Sequence, residues 1–73
     1  MEQNFPDTLP QRGLRIARLL EDPKSTKLMA MGVLPGSKVD ILRKAPFGKV
    51  YYVKVDGQRL ALRQDELQNI IFE

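Results

Sequence analysis

The chain has 73 residues, 42% of them hydrophobic and 29% charged, with a formal net charge of +3 and a pI of 9.5. That describes one small folded domain rather than a disordered segment, with a basic balance that permits a nucleic-acid partner without demanding one. Cysteine and histidine are absent, which excludes a disulfide framework and a thiolate metal site and removes the commonest general base and the commonest zinc ligand.

The opening residues Met1-Glu2-Gln3-Asn4-Phe5-Pro6-Asp7 have neither a basic start nor an apolar run. They do not read as a signal peptide, and the expected compartment is the cytoplasm. Residues 1–8 are expected to form an N-terminal arm, with Phe5 either loose or packed on the domain, and residues 9–73 the domain itself. Leu9 to Gly13 reads as a lead-in turn. Leu14 to Leu20 reads as a strand, with Leu14 and Ile16 on one face. Arg18 breaks the alternation and predicts a bulge or an edge position.

A short helix is predicted from about residue 24 to 31. Either Asp22 caps it with Pro23 in the first turn, or Ser25 caps it one turn later. Gly32 suits the left-handed position that ends a helix, and Val33 can pack back on the last turn. Leu34-Pro35-Gly36-Ser37 has the residue order of a type II turn. The uncharged stretch Leu28–Ser37 contains Gly32, Pro35 and Gly36 and is too short to span a bilayer.

Lys38–Lys44 is the second predicted strand, with Val39 and Ile41 inward. Ala45-Pro46-Phe47-Gly48 is a loop. Val50–Val55 is the third strand, Asp56-Gly57 a hairpin turn, and Gln58–Arg63 the fourth strand. A two-residue turn pairs Val55 with Gln58, Val53 with Leu60 and Tyr51 with Leu62. The apolar side chains then share one face, while Tyr52, Lys54, Arg59, Ala61 and Arg63 share the other. Gln64 to Asn69 reads as a polar helical turn, and Ile70-Ile71-Phe72 as a closing strand. About five short strands and one short helix predict a mainly β fold, a small curved barrel that closes on itself and hides its edges.

Four segments in this order carry a family resemblance: the strand opened by Gly13 with Arg15 and Ile16; Leu28-Met29-Ala30-Met31-Gly32-Val33-Leu34-Pro35-Gly36; Ala45-Pro46-Phe47-Gly48; and Val55-Asp56-Gly57-Gln58-Arg59-Leu60-Ala61-Leu62-Arg63, followed by Glu66 and Ile70-Ile71. Together they resemble the FeoA family over about residues 9–73. The resemblance implies an SH3-like small β-barrel that is not an enzyme and carries no cofactor. It also implies a partner, the FeoB permease with its cytosolic GTPase domain, and a regulatory role in bacterial ferrous-iron uptake. Where Phe47-Gly48-Lys49-Val50 stands here, an acidic residue and proline are common in the family.

No catalytic, cofactor or metal residues are expected. The carboxylates form no acid–base pair by spacing, and ferrous iron favours histidine or clustered carboxylates. Gly36-Ser37-Lys38 lacks the G-x-x-x-x-G-K spacing of a phosphate loop. The candidate protein-binding residues are Val33 and Leu34, Phe47, and the outer hairpin residues Tyr52, Arg59 and Arg63. Val33 and Leu34 belong to an apolar cluster too dense for one short helix to bury, while Leu28 and Met31 read as core. Phe47 tops its loop with no evident core to enter. Tyr52 among basic residues also suits single-stranded nucleic acid, which makes a nucleic-acid-binding barrel one alternative. A free-standing relative of the barrel that ends many metal-dependent repressors is the other, although the chain leaves no room for a winged helix.

Overall fold

In the computed structural model, which describes residues 9–73, seven elements follow one another. They are β1 (Gln11–Leu19), α1 (Pro23–Ala30), β2 (Lys38–Lys44), β3 (Val50–Val55), β4 (Gln58–Arg63), α2 (Gln64–Leu67) and β5 (Ile70–Phe72). The arm expected over residues 1–8, with Phe5, lies outside the described residues.

Strict alternation makes β3 the centre of a regular hairpin. Tyr51, Val53 and Val55 point inward, and Tyr52 and Lys54 point outward. The register with β4 is the one the turn dictates: Val55 opposite Gln58, Val53 opposite Leu60, Tyr51 opposite Leu62. Asp56 and Gly57 both take positive φ, 48° and 87°, as a type I′ turn requires. The turn is also tied sideways to β2, where Asp56 Oδ1 accepts the Lys38 amide at 3.0 Å.

β1 starts earlier than the sequence suggests. Gln11 to Gly13 are strand rather than lead-in turn, because a bulge between Gln11 and Leu14 absorbs the irregularity. Asp40 Oδ1 holds the Gly13 amide there at 2.8 Å. The break at Arg18 is a second bulge, in the pairing with β5.

Asp22, not Ser25, caps α1: its carboxylate accepts the Lys24 amide at 2.8 Å. Ser25 instead donates its hydroxyl to the Leu20 carbonyl at 2.6 Å. At the other end the Gly32 and Val33 amides donate to Met29 and Leu28 carbonyls, each at 3.0 Å. Gly32 stands at φ 90°, the left-handed turn that lets the chain reverse. Leu34–Ser37 then closes with the Ser37 amide on the Leu34 carbonyl at 2.9 Å.

The strand order is β4-β3-β2-β1-β5, all antiparallel. The sheet curls into a half-barrel with β4 and β5 at its two ends, rather than closing on itself as expected. The physical reason is local. At Arg63 the chain turns into α2, and the Arg63 amide bonds to the Glu66 carboxylate at 2.9 Å instead of to a further strand. The turn after β4 is a second helix, buried through Glu66 and Leu67. Ile16, Val39, Ile41, Val53, Leu62 and Ile70 of the strands pack with Leu28, Val33 and Leu67 in one core. Each such side chain contributes roughly 1.5–3 kcal/mol by leaving water.

Candidate protein-docking surface

The outer face of the hairpin follows from its register. Tyr52 lies opposite Ala61, and Lys54 opposite Arg59. On the other side a bulge between Ile41 and Arg43 sets Arg43 opposite Tyr52. The guanidinium carbon sits 4.7 Å from the Tyr52 ring centroid, a cation–π contact. Tyr52 and Arg59 therefore come together, in a shallow groove of about 350 Å³ shared with Leu42, Arg43, Leu60 and Ala61. Arg63 lies apart, in a separate depression with Lys49, Val50 and Asp65. Because Arg43 occupies one face of the Tyr52 ring and the side chain is half-buried, the ring is a poor platform for stacked bases. This contact is not legible in the sequence, since the bulge that creates it breaks the period of β2.

Phe47 stands 88% exposed at the tip of the β2–β3 loop. The loop is pinched at its base by the Ala45 amide donating to the Val50 carbonyl at 2.8 Å. Val39, Ile41, Tyr51 and Val53 already fill the inward positions of the strands it joins, so the ring has no core to enter.

The cluster after α1 divides. Leu34 is 45% exposed, as is Met29. Val33 is not a surface residue: it is fully buried, a correction to its expected role in contacts. The helix-ending turn folds Val33 back beneath Leu28, so its side chain joins the core. Leu28 is buried and Met31 half-buried, as expected. Met29 borders a broad depression of about 610 Å³ with Leu19, Leu20, Pro23 and Pro35. The adjacent pair Leu19-Leu20 was the available signal, because consecutive strand residues cannot both face one core.

The well-placed carboxylates serve the fold. Asp56 is held below the usual carboxylate range by the Lys38 amide first, then the Ser37 hydroxyl, with the Arg15 charge contributing. Burial pushes Glu66 up, but the Arg63 amide, the Lys27 ammonium and the Arg63 charge together outweigh it and hold the group below its ordinary value. Lys27 Nζ lies 3.1 Å from Glu66 Oε2. Asp40 is shared between the Gly13 amide and Arg12 at 3.8 Å. Among the described residues, no group of three or more His, Cys, Asp or Glu side chains could hold a metal ion. No helix there is long and apolar enough to cross a membrane.

The domain is thus a curled, mainly β, SH3-like half-barrel with two short helices, an exposed aromatic loop and a basic outer face. The chain belongs to the FeoA family: the FeoA domain profile matches residues 8–73. This is a family of non-catalytic accessory domains associated with iron transport systems. Solved structures agree. A FeoA-like protein from Clostridium acetobutylicum is 27% identical with a TM-score of 0.76, over 89% of this chain and 78% of that one. The FeoA protein from Chlorobium tepidum is 25% identical with a TM-score of 0.76, over 92% of this chain and 65% of that one. Iron(II) transport protein A from Clostridium thermocellum is 31% identical with a TM-score of 0.78, over 92% of this chain but 42% of that one. No curated protein matches.

Proposed function

We propose that the chain is a non-enzymatic, cytosolic accessory of bacterial ferrous-iron uptake that acts by binding the cytosolic region of a FeoB-like permease. The FeoA match over residues 8–73 carries the reading. The name of one similar structure, iron(II) transport protein A, supports the pathway. Phe47 is the anchor of this reading, supported by its being a large aromatic held out in solvent on a pinched loop. Lys44 and Lys49 flank it and steer the loop toward an acidic surface, raising association rate more than affinity. By binding one conformation of the permease better than another, the domain shifts the population between them.

The test is a titration of the permease's cytosolic region with the native chain and with Phe47→Ala. Truncating an interface anchor costs about 2 kcal/mol, or roughly thirtyfold in affinity. The melting temperature should stay near that of the native chain, because the ring buries little. Loss of stability with unchanged affinity would remove Phe47 as the anchor. No binding by the native chain would remove the partner.

A further inference from the structure

We infer that the free edge of β4 takes up an extended segment of a protein partner whose side chains alternate carboxylate and apolar, adding a strand to the sheet. The inference rests on the reading that the chain binds a protein, and it names the chemistry of the segment bound.

Among the described residues the sheet ends at β4. The two-residue turn makes Val55 and Gln58 a mutually bonded pair, so Lys54/Arg59 and Tyr52/Ala61 are pairs whose backbone groups point away from each other. Two bonds fix this parity. The Asp56 amide donates toward β2, to the Lys38 carbonyl at 2.9 Å. The Arg63 amide, in phase with Arg59 and Ala61, donates off the sheet to Glu66. Arg59 and Ala61 thus present amides and carbonyls along an exposed edge, and Glu66 closes the row at Arg63.

Sheet edges are usually blunted by a bulge, a proline or charge. The β3–β4 register runs without a shift, and β4 contains no proline. Charge remains, and it selects the occupant. Arg59 and Arg63 lie on the outer face with Lys54 across from Arg59. The ion pairs among the described residues engage Arg12, Lys24 and Lys27, and the Arg63 charge already acts on Glu66, which leaves Arg59 and Lys54 without a carboxylate at ion-pair distance. A second copy pairing through β4 would bring these arginines together, whereas an acidic strand about 5 Å away would neutralise them. On the inner face Leu60 is only partly buried against the core rim. A strand laid here sets its outer side chains along Arg59 and Ala61, beneath Lys54, and the intervening one beside Leu60, hence the alternating pattern.

The probe is a synthetic peptide of about eight residues alternating Glu and Val, the length of a short strand, titrated into isotope-labelled chain and followed by amide NMR. Exchange at the Arg59 and Ala61 amides should slow. Ala61→Pro deletes one outward amide while sparing the ladder to β3, and should weaken peptide binding about tenfold. Arg59→Glu, at an exposed side chain, should do the same and covers the case in which the proline variant misfolds. The inference is overturned by unchanged affinity in the folded variants, by no response at these amides at millimolar peptide, or by perturbation confined to Met29, Leu34 and Phe47. Tighter binding of a single-stranded oligothymidylate than of the peptide also overturns it. If the permease region binds the native chain and both variants equally, strand addition fails and the proposed partner stands. If the peptide behaves as described but the permease region does not bind, the partner fails and strand addition stands.

Discussion

At Gly57 the backbone sits at φ 87°, and a Cβ placed there would meet nothing within 4 Å. Space is free, so any cost of a side chain is conformational. Gly57→Val should lower stability by about 1 kcal/mol or more, since a β-branched residue is strained in the left-handed region. Gly57→Asn should cost much less, because Asn visits that region with its side chain bonded locally. Urea midpoints compare the two; equal midpoints would mean that the turn does not require the left-handed conformation. The neighbouring Asp56 is a different kind of residue. It serves the turn through its φ of 48° and serves β2 through the Lys38 amide, so the hairpin tip is fixed in two directions.

At the scale of elements, Glu66 joins α2 to both β4 and α1. One carboxylate oxygen accepts the Arg63 amide at 2.9 Å and the other meets Lys27 of α1 at 3.1 Å. Its folded-state acidity lies below the ordinary value of 4.5, so its contribution is fully present above that pH and is lost as pH falls toward the depressed folded value. Glu66→Gln keeps an oxygen for the amide but loses the charge. It should cost about 1 kcal/mol at neutral pH, discounted because Lys27 is mostly exposed. It should also flatten the acid limb of a stability–pH profile, measured by urea unfolding between pH 3 and 7, on the order of the carboxylate range. An unchanged acid limb would assign that limb to other carboxylates, Asp56 first. This junction was only partly legible in the sequence, where Gln64 to Asn69 reads as a polar helical turn and nothing local says that Glu66 will be buried. The hairpin was fully legible, because Tyr51, Val53 and Val55 alternate up to an Asp-Gly turn and both signals choose one register. β1 was legible only in part: its bulges break the period on which strand reading depends, so Gln11–Gly13 passed for a turn. Val33 was misplaced for a related reason, since a reversal of the chain, not a period, carries it into the core. Phe47, by contrast, could be read as a surface residue from the sequence because the inward positions beside it were already taken.

Across the described residues the cations of the outer hairpin face and the carboxylates that hold the backbone do different work. Lys54 and Arg59 on the outer hairpin face have no carboxylate within ion-pair distance among the described residues, while Asp22, Asp40, Asp56 and Glu66 each accept a backbone amide. A ferrous ion at Asp22, Asp40, Asp56 or Glu66 would have to compete with the turns, bulges and helix ends that these carboxylates hold in place. It would do so on a chain of net charge +3, without histidine or cysteine. Hard oxygen ligands bind a divalent cation tightly only when several converge, and among the described residues no three carboxylates do. Anaerobic titration of the isolated chain with ferrous iron should therefore show no site tighter than about the millimolar range. Under the proposed function the permease would handle the metal and this domain would bind the permease, so iron should not alter the melting temperature of the domain alone. Isothermal calorimetry and a thermal melt with and without ferrous iron measure both quantities. A stoichiometric micromolar site would overturn the division, and Asp40→Asn and Glu66→Gln would be the first variants to locate it.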